Sequence, residues 1–211
     1  MIPADSFIFD LDGTLWDASE ACAIAWNQTF RLCALTHSVN QSMVRRFSGR
    51  LLPDILEKEF PGIAPTQYNS FIEKYAIEER KMMRVQGGVL FPGVKEVLAL
   101  LAQSFPLFIV SNCMPGYIER FLEQHALGKY FSDFECSGNT GQPKNVNLRM
   151  LVERNGLKMP VYIGDTAGDH AAAAGNHITF IHARYGFGQV EDSQYFITEF
   201  SKLLSLAGCG G

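Results

Sequence analysis

The sequence predicts an α/β protein built on a doubly wound parallel sheet, with a helical segment inserted after the first strand. Three observations predict it. Short apolar runs at 6–10, 106–111, 160–165 and 177–183 each lead into a polar residue or a turn. Helical stretches at 93–103, 115–127, 143–155 and 167–175 alternate with these runs, the pattern of a parallel sheet with crossover helices. Residues 17–88 offer helical periodicity alone. With 211 residues, 47% of them hydrophobic, the chain is long enough to bury a core of this kind.

The first element is the apolar run Ser6-Phe-Ile-Phe-Asp10, which ends in an acid and is followed by Gly13, a buried strand entering a turn. The insert follows, with helical segments at 18–34, 40–48, 51–60 and 65–86. Its borders are Leu15-Trp16-Asp17 and Gly87-Gly88, and the paired glycines are expected to serve as a hinge. The division expected is therefore a core of 1–16 and 89–211 and an inserted subdomain of 17–88. The insert holds nine Lys+Arg against eight Asp+Glu, so its sign suits a lid over an anion, although a solvated helical surface would read the same way. A weaker strand is expected at 133–137, between the second and third main strands.

Composition excludes several classes of function. A formal charge of -4 and only 19% charged residues imply no basic surface for a nucleic acid. No apolar run reaches the roughly 18–20 residues needed to span a bilayer, and the start lacks the features of a signal peptide, so a soluble, cytoplasmic protein without membrane or nucleic-acid partners is expected. The five cysteines are scattered without a CxxC, which fits reduced thiols.

Chemistry-bearing residues cluster at the strand ends. Asp10-Leu11-Asp12-Gly13-Thr14 places two carboxylates two residues apart after a buried strand, and residues i and i+2 of an extended segment point the same way. Ser111-Asn112 ends the second main strand, Lys144 opens a helix, and Asp165 and Asp169 follow the third. Since chemistry in such sheets sits outside the carboxyl ends of the strands, all of them are expected at one edge. Convergent carboxylates make a hard, all-oxygen site suited to Mg²⁺, and a lysine with a hydroxyl supplies what a phosphate needs. Phosphoryl transfer is the reaction class that uses this inventory.

In order and spacing, Phe9-Asp-Leu-Asp-Gly-Thr-Leu15, Ser111-Asn112, Lys144 and Gly164-Asp165-Thr166-x-x-Asp169 resemble the four motifs of the haloacid dehalogenase-like (HAD) hydrolase superfamily. The insert is similar to that family's helical C1 cap, and Phe91-Pro-Gly-Val94 looks like a segment of its phosphoglycolate phosphatase-like members. The resemblance implies a Rossmann-like core and a Mg²⁺-dependent phosphatase acting on a small phosphorylated metabolite. It implies Asp10 as the nucleophile that forms an aspartyl-phosphate and Asp12 as the general acid and base. Ser111 and Asn112 would bind the phosphate, and Lys144 would offset the charge of phosphate and nucleophile. Asp10, Asp165 and the backbone carbonyl of Asp12 would hold Mg²⁺, with Asp169 acting through water or orienting Lys144.

Specificity is expected to come from the cap. Arg50, in Ser48-Gly49-Arg50, is the candidate for a second anionic group of the substrate, although a solvated arginine is the plainer reading. Trp16, Trp26, Phe47 and Phe71 either line the cavity or form the core of the insert. The bulk of Trp16 is expected to reduce the pocket. Two other readings of the same motifs are a phosphomutase that passes the phosphoryl group to a sugar hydroxyl and a catalytically silent binding domain.

Overall fold

A computed structural model describes residues 1–209. The chain opens with β1 (Ser6–Phe9) and then forms a two-residue strand β2 (Trp16–Asp17). Four helices follow: α1 (Ser19–Leu32), α2 (Gln41–Phe47), α3 (Leu52–Glu59) and, after a 3-10 turn at Pro65–Gln67, α4 (Tyr68–Val85). The chain then returns through β3 (Val89–Leu90), which pairs antiparallel with β2. The remainder alternates: α5 (Val94–Leu101), β4 (Leu107–Ser111), α6 (Tyr117–His125), β5 (Phe131–Cys136), α7 (Ser137–Thr140), α8 (Lys144–Asn155), β6 (Pro160–Gly164), α9 (Ala167–Ala174), β7 (Thr179–Ala183), β8 (Tyr195–Ile197) and α10 (Leu203–Ala207).

Six strands form one sheet in the order β5-β4-β1-β6-β7-β8, every neighbouring pair parallel. Side chains alternate across it as strand geometry demands. Ile8, Phe108, Val110 and Tyr162 face Leu148 and Leu151 of α8 and Ala172 and Ala173 of α9. Phe7, Phe9 and Ile163 join the opposite cluster, with Val97 and Leu98 of α5 and Leu203 of α10. Burial on both faces explains why β1, β4 and β6 read as unbroken apolar runs rather than alternating ones. The chain order reverses at β1, between β4 on one side and β6 on the other. That reversal opens a crevice at their carboxyl ends.

The strand at 177–183 begins two residues late, because His177 takes a positive φ of 57° in the turn after α9. The weak strand is longer than expected, and its pairing with β4 shifts register between Leu107 and Phe108. Strands β2, β3 and β8 and helices α7 and α10 were not foreseen. Each spans two to five residues, too few for a period to show.

Within the insert α1 packs on α4 around Trp26, whose ring meets Phe30, Phe47, Phe60, Phe71 and Tyr75 at 5.0–5.8 Å. Trp16 belongs to the other side, edge-on to Tyr117, Phe121 and His125, and does not line the main cavity. The expected loss of pocket space to its bulk is therefore corrected. It also gives Gly88 a second reason: a Cβ there would collide with the indole. Among the described residues no helix is long and apolar enough to cross a membrane, and all five cysteines are free.

Candidate active site

The end of β1 fixes Asp10 through its N–H, which donates to the Ile163 carbonyl on β6 at 2.8 Å. The turn beyond requires Gly13, whose φ is +87° and whose Cα lies so near the Asp165 carboxylate that a Cβ would overlap it. At the end of β6, Thr166 caps α9 with its hydroxyl, and Asp169, three residues on, caps it in return. Asp169 Oδ2 accepts from the Thr166 N–H at 2.9 Å and from its hydroxyl at 2.7 Å. Its other oxygen is left for catalytic-centre partners.

Those partners are Lys144 and Tyr162. Lys144, the first residue of α8, is buried and donates from Nζ to Asp10 Oδ1 at 2.7 Å and Asp169 Oδ1 at 2.5 Å. The Tyr162 hydroxyl donates to the same Asp169 oxygen at 3.1 Å. Burial alone would lower the lysine's proton affinity, but the two carboxylates more than offset it and hold the ammonium above the ordinary lysine range. Burial would likewise raise Asp169, yet Lys144 and the Thr166 donors keep it below the usual carboxylate value. Asp10 is pushed up to about 6, first by burial and then by the charge of Asp169.

Asp165 accepts from the N–H groups of Phe187 at 2.7 Å and Gly188 at 3.3 Å, and from the Thr14 hydroxyl at 3.4 Å. Burial and the charges of Asp169 and Asp10 still hold it well above the normal range. Ligand oxygens of Asp10, Asp165 and Asp169 all lie within 4.8 Å of one another. Three buried carboxylates sharing one lysine leave negative charge uncompensated, and an all-oxygen donor set of this kind fits a hard divalent cation. The Asp12 carboxylate stands outside this trio. Its Oδ1 accepts from the Tyr117 hydroxyl at 2.8 Å, and burial pushes it up to about 7.

Asp10, Asp12, Ser111 and Asn112 line a cavity of about 100 Å³ that the insert closes from the other side with Trp26, Phe47, Gly49, Arg50, Tyr75 and Glu79. The Asn112 side chain is occupied, donating to the Gly49 carbonyl at 2.8 Å and accepting from Ser137 at 2.6 Å. Gly49, with φ +78°, sits against Thr166, so the loop from the insert rests on both α9 and the end of β4. Arg50 borders the cavity, but its guanidinium is taken up by Glu59 at 2.6 Å and the Asp54 carbonyl at 3.3 Å.

Sequence reasoning missed Tyr117, Tyr162 and Glu79, and assigned no role to the loop of Phe187 and Gly188. Glu79 did leave a signal. It falls on the stripe Phe71, Tyr75, Glu79, Met83, spaced four apart along α4 and buried throughout, where an acid interrupts an apolar face. The tyrosines left none, being ordinary amphipathic residues in apolar elements.

A profile described as haloacid dehalogenase-like hydrolase matches residues 7–183 of the chain. The chain is 29% identical over 196 residues to a phosphoglycolate phosphatase of Vibrio parahaemolyticus, covering 87% of this chain and 85% of that relative. It is 28% identical over 206 residues to a 5'-nucleotidase of Pseudomonas aeruginosa, covering 89% and 86%. Its fold superposes with a TM-score of 0.84 on a haloacid dehalogenase-like hydrolase of Streptococcus pneumoniae, at 21% identity and covering 97% of this chain and 98% of that one.

Proposed function

The chain belongs to the haloacid dehalogenase-like hydrolase family, and from that premise we propose that it is a Mg²⁺-dependent phosphatase that cleaves a small phosphorylated metabolite through an aspartyl-phosphate on Asp10. The observation that carries this reading is the convergence of Asp10, Asp165 and Asp169 within 4.8 Å, with the Lys144 ammonium 2.7 Å from Asp10. Relatives named as phosphoglycolate phosphatase and 5'-nucleotidase support phosphomonoesters as the substrate class. Asp10 and Asp165, with the Asp12 carbonyl, would hold the ion. When bound it supplies the positive charge that lets an anionic carboxylate approach an anionic phosphate.

Asp10 attacks phosphorus through a carboxylate oxygen, and the bond from phosphorus to the leaving oxygen breaks. Asp12, protonated, gives its proton to that oxygen. As a carboxylate it then takes a proton from the water that attacks phosphorus and breaks the bond to Asp10, which releases inorganic phosphate and restores both groups. A proton affinity of about 7 suits Asp12 to both halves, since either form is accessible near neutral pH. Lys144 pairs with Asp10 and with the phosphate, Ser111 and Asn112 hold phosphate oxygens, and Asp169 positions Lys144. Residues 17–88 act as the cap, excluding bulk water while Asp10 is phosphorylated.

The test is phosphate release from a panel of small phosphomonoesters, with and without Mg²⁺. Metal-dependent release is expected. Release that is indifferent to chelator contradicts the metal role, and no release from any ester contradicts the phosphatase.

A further inference from the structure

Among the carboxylates facing the cavity, Glu79 is the one whose chemistry the reaction does not use. It is 7% exposed, lies on α4 one turn beyond Tyr75, whose hydroxyl donates to it, and makes no ion pair among the described residues. Arg80, exposed beside it on α4, acts on it through charge alone, and Arg84 and Arg120 share the groove on its outer side, but among the described residues no cation that lines the cavity is free to pair with it. Arg50 is tied to Glu59 and Arg45 to Asp17, while Lys144 is committed to Asp10 and Asp169. Tyr75 and Tyr117 add hydroxyls and Cys22 a thiol at this end, and the Trp26 ring lies tilted against Tyr75 at 5.0 Å.

We infer that Glu79 selects the leaving group, and that the preferred substrate is a small phosphomonoester bearing a protonated amine rather than a carboxylate. This rests on the phosphatase reading above for the orientation of the substrate, phosphate on Asp10 and leaving group toward α4. A carboxylate in that position would lie between Asp12 and Glu79, with Arg50 of the cavity lining already paired to Glu59 and so not free to offset its desolvation. An ammonium has the opposite balance. It would meet Glu79 as a counter-ion and the aromatic faces of Trp26 and Tyr75 as cation–π partners. Burial pushes the Glu79 carboxyl up to about 8 although the Tyr75 hydroxyl and the charge of Arg80 lower it, the behaviour of an acid without an ion-pair partner.

Three non-hydrolysable phosphonates of similar size separate the possibilities: 2-aminoethylphosphonate, 2-hydroxyethylphosphonate and phosphonoacetate. Their binding to the Mg²⁺-loaded protein is measured by calorimetry, so the readout does not depend on turnover. The amine is expected to bind at least about tenfold more tightly than the hydroxyl or the carboxylate, a difference of about 1.4 kcal/mol. In Glu79→Gln, which keeps the shape and removes the charge, that preference should collapse, while Glu73→Gln on the exposed face of the same helix should keep it. Equal binding of amine and hydroxyl, tighter binding of phosphonoacetate, or an unchanged preference in Glu79→Gln overturns the inference. A chromogenic phosphomonoester assayed in parallel tests the reaction itself, so absent turnover with the amine preference intact defeats the phosphatase and leaves the selection by Glu79 standing.

Discussion

Lys144 carries the largest electrostatic burden of any single residue, since it is the one ammonium between two buried carboxylates. Lys144→Ala should cost about 3–5 kcal/mol of stability, read from urea denaturation, because it leaves Asp10 and Asp169 buried without a counter-charge. A loss below about 1 kcal/mol would mean that water or another cation reaches the pair. Asp12→Asn has a different signature: the fold stays, and kcat falls by about 10²–10⁴-fold, the usual contribution of a general acid and base. Glu79 adds a pH dependence whose sign follows from its raised proton affinity. Its neutral form is favoured in the fold, so its contribution to stability is complete below about pH 4.5 and is lost as pH rises through about 8. Thermal melts of the metal-free protein should therefore show wild type losing stability relative to Glu79→Gln across that window, and parallel curves would remove the buried acid from the account. At this scale the sequence was most legible where residues sit in one short motif, as Asp10 and Asp12 do. Tyr117 and Tyr162 reach the acids across 105 and 7 residues of chain from helix and strand positions that look ordinary, so only packing could reveal them.

At the scale of elements, the site depends on how strands hand over to helices. The reciprocal cap of Thr166 and Asp169 both starts α9 and aims Asp169 at Lys144. Thr166→Ala should cost about 1 kcal/mol, the usual value of an N-cap, and should lower kcat as Asp169 loses the hydroxyl donor while keeping the backbone N–H. A stability change with kcat untouched would mean that Lys144 does not need this support. Helices in the insert were readable from sequence to within a few residues because each has a sustained apolar period, and α1 and α4 have the longest. The two-residue ribbon β2–β3 carries no period at all, yet it joins the two ends of the insert to the core. The roles of glycine were only partly readable. Gly13 could be assigned to a turn, whereas its contact with Asp165, a residue 152 positions later, exists only once β1 and β6 are adjacent.

The whole molecule explains why distant motifs share one site. In the order β5-β4-β1-β6-β7-β8, the ends of β4, β1 and β6 lie side by side, so Ser111, Asp10 and Asp165 meet at the point where the winding reverses. That gathering was predictable from three strand-end motifs and a lysine at a helix start, because an all-parallel sheet puts its carboxyl ends on one edge. What the insert contributes was not predictable, since the occupation of Arg50 by Glu59 and the turning of Trp16 away from the cavity depend on how four helices settle against the core. Removing the cation should affect the molecule as a unit. Chelation is expected to abolish phosphate release and to lower the melting temperature, because Asp10, Asp165 and Asp169 are then left to repel one another, and added Mg²⁺ should restore both.

The most direct test of the central claim is rapid acid quenching of the Mg²⁺-loaded enzyme during turnover of a radiolabelled phosphomonoester, followed by peptide mapping. The account predicts hydroxylamine-labile label on the peptide that carries Asp10, absent without Mg²⁺ and absent in Asp10→Asn, whose turnover should fall by more than about 10³-fold. Rapid phosphate release with no label on that peptide, or turnover retained in Asp10→Asn, would contradict it.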